Sequence, residues 1–297
     1  TERRIAFSPD EANAAPHVLV ERSYQDLYGD PGYPVTQLNE AGRAVMQFTG
    51  DGRGIYLAGA GASAEGAYPF LDRMELSDGS STRLWRSADD AFEQVAAVLD
   101  TDGRRLLVRR ETAAEPPNYH ILHRSTGEVN PVTRFPDRAP QLAGIRRRII
   151  TYHRADGLEL SATLITPPGY DANRDGPLPM LIWAYPREFR DAGDAAQVDD
   201  SPHRFSRPTG ASHLFLLTQG FAVLDGPSMP VVGEGEAEPN DTYIEQMVAS
   251  AEAAVDAVVA LGVADRNRIA IGGHSYGAFM TGTLLAHTKL FRAGIAR

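Results

Sequence analysis

The pattern of apolar positions changes near residue 145. Before that point apolar residues come in short runs separated by Gly, Asp and Ser, the texture of antiparallel strands and turns. The segment Gly50-Asp51-Gly52-Arg53-Gly54-Ile55-Tyr56-Leu57 is echoed 51 positions later by Thr101-Asp102-Gly103-Arg104-Arg105-Leu106-Leu107-Val108. Each copy leads into an apolar strand and a second turn, at Ser77-Asp78-Gly79 and Ser125-Thr126-Gly127. A turn–strand–turn–strand unit at this period predicts blades of a β-propeller, with a plain antiparallel meander as the alternative.

After residue 145 the periods lengthen. Residues 158–165 alternate as a strand that Pro167-Pro168-Gly169 breaks, and residues 179–185 form a nearly continuous apolar run, as in a strand buried on both faces. Further apolar segments, 215–217 and 221–224, flank Gly220. The clearest helix covers residues 243–261, with Ile244, Met247, Val248, Ala251, Val255, Val258 and Val259 on one face. Thr242 and Glu245 have the spacing of a capping box, and Gly262 is a natural stop. A short strand at 268–271 and a helix at 278–287 follow, giving the grammar of a parallel α/β sheet. Residues 186–240, rich in Pro, Gly and Asp, read as the rim of a site.

Composition narrows the function classes. A net charge of −10 and a pI near 5.3 speak against binding nucleic acid, which calls for a basic face. The triplet Arg146-Arg147-Arg148 reads as a solvated strand end. The absence of cysteine excludes disulfides, thiolate chemistry and cysteine-based zinc sites within these residues. No apolar run has the 18–20 residues that would carry a helix across a bilayer, so no membrane contact is expected. The sequence opens at Thr1 without a methionine, and no localisation can be read from it.

The chemistry is concentrated at Gly272-Gly273-His274-Ser275-Tyr276-Gly277, which contains Gly-x-Ser-x-Gly between a strand and a helix. That context predicts a nucleophile elbow: a turn tight enough to require Gly273 and Gly277, presenting the Ser275 hydroxyl at the top of a sheet. The N–H of Tyr276 then points where a tetrahedral oxyanion would form, helped by the helix N-terminus. A serine hydroxyl needs a histidine to accept its proton and an acid to orient that histidine, in this fold in the order Ser, Asp or Glu, His. No Asp or Glu follows Ser275, and the only later histidine is His287, twelve positions on. That is about 18 Å along a helix, out of reach. His274 adjoins the serine, but neighbouring elbow residues diverge, and it is expected to pack rather than act as base.

The stretch from Gly272, with His-Ser-Tyr-Gly-Ala-Phe-Met-Thr and then Leu-Phe-Arg-Ala-Gly-Ile-Ala-Arg, resembles prolyl-oligopeptidase-type serine peptidases. Within them it is most similar to the glutamyl endopeptidase branch of plant chloroplasts and bacteria. Trp183-Ala184-Tyr185-Pro186-Arg187-Glu188-Phe189, Asp194-Ala195-Ala196-Gln197-Val198, Gly233-Glu234-Gly235, residues 248–255, Gly59-Ala60-Gly61-Ala62 and Pro69-Phe70-Leu71-Asp72 carry the same resemblance. It implies a partial β-propeller over residues 1–145 and, over 146–297, the N-terminal half of an α/β-hydrolase peptidase domain. The resemblance places the triad Asp and His beyond Arg297 and most blades before Thr1, so the sequence reads as an internal, inactive piece of a longer enzyme. Residues 269–271 and 221–224 would then lie beside an open sheet edge. Tyr185 matches the family's second oxyanion donor, a phenol at the end of an early strand. The branch implies cleavage after glutamate, which calls for a cation; Arg187, Arg190, Arg204 and Arg207 lie in the expected rim. The implied partner is a peptide, no cofactor or metal is implied, and the oligomeric state is not legible. An esterase or aminopeptidase of a neighbouring branch, and a non-catalytic interaction protein that keeps the elbow as structure, are the alternatives.

Overall fold

The computed structural model describes residues 1–7, 10, 15–233 and 235–297, and the chain separates into two compact units. Glu234, within one of the segments quoted above, lies outside the described residues.

The first unit comprises Thr1–Pro136 with His203–Phe205. It holds two four-stranded antiparallel sheets. One runs in the order β1 (Tyr33–Pro34), β2 (Gly54–Gly59), β3 (Phe70–Glu75), β4 (Ser81–Arg86). The other is β5 (Phe92–Val98), β6 (Arg105–Glu111), β7 (Asn118–His123), β8 (Glu128–Pro131). The echoed segments lead into β2 and β6, each second in its sheet, and the echoed second turns join the last two strands of each. Alternation explains the packing. Tyr56 joins Leu71, Val98, Leu106, Val108 and Leu122 in one core, while Ile55 and Leu57 pack with Met74 on the other face of β2. The Tyr56 hydroxyl donates to the Thr101 carbonyl at 2.7 Å, tying the first sheet to the turn ahead of β6.

The second unit comprises Asp137–Pro202 and Ser206–Arg297. Its strands are β9 (Arg146–His153), β10 (Glu159–Thr166), β11 (Leu178–Trp183), β12 (Arg187–Phe189), β13 (Ala222–Asp225), β14 (Pro230–Val232), β15 (Ala264–Gly273) and β16 (Ala293–Ala296). Six form one mixed sheet, β9-β10-β13-β11-β15-β16, with β13, β11, β15 and β16 mutually parallel. Helices α1 (Tyr243–Ala260) and α2 (Tyr276–His287) contribute Met247, Ala251, Val255, Val258, Met280 and Leu284 to the core on one face. On the other face Ile165 and Val223 meet Leu214 and Leu217 of a 3₁₀ helix, His213–Gln219. Covered on both sides, Met180, Leu181 and Ile182 of β11 and Ala222, Val223 and Leu224 of β13 are fully buried, as their unbroken apolar runs require.

Four expectations need correction. Neither 221–224 nor 269–271 borders an open edge: β13 lies between β10 and β11, and β15 between β11 and β16. The strand that closes the second gap, Ala293–Ala296, is short, small and exposed, so it carries no apolar alternation. Thr242 does not cap α1 with its side chain; a preceding 3₁₀ turn, Pro239–Thr242, starts the helix, and the Thr242 hydroxyl instead accepts from Gln246 Nε2 at 2.8 Å. Within the run 146–148, Arg147 is not solvated: its side chain is only 10% exposed and pairs with Asp200. The stretch 186–240 is not all rim, since β12 and β14 form a parallel pair inside it.

Candidate active site

Strand β15 ends at Gly273 and α2 begins at Tyr276, leaving His274 and Ser275 to turn the chain. Ser275 takes φ 55° and ψ −115°, the one positive-φ non-glycine among the described residues. Such a conformation costs about 1–3 kcal/mol and persists only when its surroundings over-determine it. The surroundings here are backbone. A Cβ on Gly273 would lie 2.5 Å from the Ala184 carbonyl oxygen and 2.7 Å from Gly277 Cα. A Cβ on Gly277 would lie 2.5 Å from the same oxygen and 3.8 Å from Tyr185 Cα. The end of β11 is thus pressed into the turn, and only glycine fits at either flank. Ser275 N–H donates to the Arg297 carbonyl at 2.8 Å, and Arg297 N–H to the Gly273 carbonyl at 3.1 Å, fixing the turn from the β16 side.

Past the turn, the N–H groups of Gly277 and Ala278 bond to the carbonyls of His274 and Ser275 at 2.8 and 2.9 Å. No acceptor among the described residues takes the Tyr276 N–H, which leaves it free at the start of α2. Ser275 is exposed. Tyr185, 50% exposed, follows the carbonyl that both glycines accommodate, and its ring meets Tyr276 edge-on at 6.0 Å. The structure therefore brings Ser275, Tyr276 and Tyr185 to one end of the sheet. His274 is exposed rather than packed. His287 ends α2, away from the turn.

The prolyl oligopeptidase family model matches residues 241–297, which run from the approach to α1 through the elbow to β16. Over 99% of its length the chain is 42% identical to a probable chloroplastic glutamyl endopeptidase of Arabidopsis thaliana, and 43% identical to its counterpart in Oryza sativa subsp. japonica. The chain carries, in residues 241–297, a segment of the prolyl oligopeptidase family. The whole chain spans about a third of each of these relatives, 32% and 33% of their lengths. A solved post-proline cleaving enzyme from Rickettsia typhi has a similar fold, with a TM-score of 0.56 at 15% identity over 97% of this chain and 37% of its own.

Around the elbow of this prolyl oligopeptidase family segment, the aromatic side chains form a cluster. Tyr276 stacks on Tyr243 at 5.8 Å and on Phe279 at 6.1 Å, and its hydroxyl donates to Glu188 Oε1 at 3.2 Å. Burial, and after it the Glu188 carboxylate, raise the Tyr276 phenol above its ordinary range, so it stays a donor. Burial likewise raises Tyr243.

Of the rim arginines, Arg187 holds Asp199 at 3.1 Å and Arg190 holds Glu238 at 3.0 Å. Arg204 belongs to the first unit, 4.8 Å over the Phe92 ring. Arg207 is exposed. A cavity of about 750 Å³ in the second unit is lined by Arg154, Glu159 and Gln246 among others, with none of Tyr185, Ser275 or Tyr276 in its wall. Among the described residues no group of three or more His, Asp or Glu is placed to hold a metal ion, and no helix is long and apolar enough to cross a membrane.

Sequence reasoning passed over one ionisable pair. His213 Nε2 lies 2.8 Å from Asp225 Oδ1, and the imidazole stacks on Trp183 at 4.8 Å and 12°. A lone histidine twelve residues before an aspartate belongs to no motif, and only the packing of the 3₁₀ helix on the sheet brings the two together.

Proposed function

We propose that this chain supplies the nucleophile and the oxyanion site of a serine peptidase, with Ser275 forming the acyl-enzyme. The observation that carries the reading is the strained Ser275 backbone, wedged by Gly273 and Gly277 against Ala184, with the Tyr276 N–H left without an acceptor among the described residues. In this mechanism Ser275 Oγ attacks the peptide carbonyl and gives its proton to a histidine. The carbonyl oxygen becomes an oxyanion that accepts hydrogen bonds from the Tyr276 N–H and the Tyr185 hydroxyl, and the amine leaves with the proton. Residues 146–297 serve as the N-terminal half of an α/β-hydrolase domain, and residues 1–145 contribute the two antiparallel sheets as propeller blades.

No Asp or Glu follows Ser275 in these residues. Turnover is therefore proposed for a polypeptide as long as the relatives, and the 297 residues alone are proposed to be weakly reactive. From the name of these glutamyl endopeptidase relatives comes a preference for cleavage after glutamate. Glu188, next to Tyr276, would repel an acidic side chain, so a substrate glutamate would lie on the side away from it.

A fluorophosphonate probe tests the reading. The full-length polypeptide should be labelled at Ser275, the Ser275→Ala variant not at all, and the 297 residues alone weakly. Labelling that survives Ser275→Ala would remove Ser275 as nucleophile, and strong labelling of the 297 residues would show that they already contain a working base.

A further inference from the structure

Three strand-end residues lie side by side one pleat below the elbow. Trp183 of β11 is in register with Asp225 of β13 on one side and with Gly272 of β15 on the other. Residues paired this way in a parallel sheet put their side chains on the same face. The face is the one carrying the 3₁₀ helix, whose first residue is His213. Glycine at 272 lets the indole lie over the backbone: a Cβ there would be 2.9 Å from Trp183 Cε3 and Cζ3. The same indole is stacked by His213, and the imidazole is held by Asp225 at 2.8 Å.

Resting on the peptidase reading above, we infer that His213 and Asp225 form a positioning pair, clamping Trp183 against Gly272 and so holding both oxyanion donors in place. The two strands that Trp183 and Gly272 belong to are the two that carry the reaction. Trp183 is followed by Ala184, whose carbonyl seats the elbow glycines, and by Tyr185. Gly272 is followed by Gly273, His274 and Ser275.

The clamp is itself anchored. Ser212 Oγ caps the 3₁₀ helix by accepting from the Leu214 N–H at 3.2 Å, and Leu214 and Leu217 are buried with Ile165 and Val223. The His213 and Asp225 side chains are 17% and 28% exposed. An ionisable pair so placed adds little net stability, because desolvation offsets attraction; what it supplies is direction. A carboxylate on Nε2 fixes the ring's orientation, and the fixed ring fixes the indole. A displacement of about 1 Å at the reacting groups can cost 10²-fold in rate. A partial loosening through one side chain is therefore expected to cost about tenfold.

The test uses Asp225→Asn, His213→Phe and the double variant in the full-length polypeptide. His213→Phe keeps an aromatic ring on Trp183 and removes the bond to Asp225; Asp225→Asn keeps the shape and removes the charge. Each single variant should lower kcat and the Ser275 labelling rate by about tenfold, with KM changed less than twofold. The double should be no worse than the weaker single, as for two groups acting as one. Rates unchanged in both singles, whatever happens to Tm, would make the pair structural only and overturn the inference, as would losses that multiply in the double. Labelling does not require a peptide substrate. A wild-type protein that labels at Ser275 but cleaves no peptide would refute the peptidase reading, while the variants' labelling rates still decide the role of His213.

Discussion

Replacing Gly273 by alanine adds one carbon at the tightest point of the elbow. The new Cβ would stand 2.5 Å from the Ala184 oxygen and 2.7 Å from Gly277 Cα, and real Cβ contacts essentially never fall below 3.0 Å. Both obstacles are backbone, so no side chain can rotate away. The carbonyl of Ala184 must retreat by at least about 0.5 Å, and Tyr185 is attached to it. Overpacking of this kind costs about 1–3 kcal/mol, or roughly 2–4 °C in Tm per kcal/mol for a unit of this size. The same shift separates Tyr185 from the Tyr276 N–H, so Ser275 labelling should fall by about tenfold or more. Gly282 supplies the control. It lies inside α2, and a Cβ there would meet nothing within 4 Å. Gly282→Ala should raise stability by about 0.5–1 kcal/mol and leave labelling unchanged. Thermal melts and labelling rates of the two variants, measured together on the full-length polypeptide, decide the matter. A Gly273→Ala protein that melts and labels like wild type would show that the strand end and the turn are not in contact.

Tyr185→Phe should lower kcat by about 10²–10³-fold with little change in KM, the loss typical of one oxyanion donor, and an unchanged kcat would remove Tyr185 from the site. Glu188→Gln removes a carboxylate that raises the Tyr276 phenol, so the phenol's titration should move down toward its ordinary range, with burial still holding it above. The ultraviolet absorbance of phenolate, taken as the difference between Glu188→Gln and the same protein with Tyr276→Phe added, checks the direction. For the 297 residues alone, hydrogen exchange in the second unit should be fastest in β16, which is exposed along its whole length, and slowest in β11 and β13. Equal protection of β16 and β11 would contradict the strand order.

What could be read from the sequence was what local chemistry dictates. Gly273, Ser275 and Gly277 announce the elbow because the turn admits no other residues at its flanks, and that requirement is local. The long helix was legible because its buried positions, Met247, Ala251, Val255 and Val258 among them, recur at the helical period. Other features depend on partners distant in sequence. Arg147 looked solvated until Asp200 came to it, 53 residues on. His213 acquires a role only because register aligns Asp225 with Trp183 and Trp183 with Gly272. Strand β16 owes its place to the backbone bonds it makes with β15, since an Ala-Gly-Ile-Ala segment has too little apolar contrast to announce itself.

The bond from Ser275 N–H to the Arg297 carbonyl has a meaning in time as well as in space. The elbow is held by Ala184, some ninety residues earlier in the chain, and by Arg297, twenty-two residues later. During synthesis, at about 5–20 residues per second, the serine emerges before the carbonyl that restrains it. Its backbone costs energy to hold, so it has no reason to adopt the strained angle while it waits. A nascent chain therefore completes this strained turn only once its sheet has closed around β15, so the shape of the elbow is a late product of folding rather than an early one.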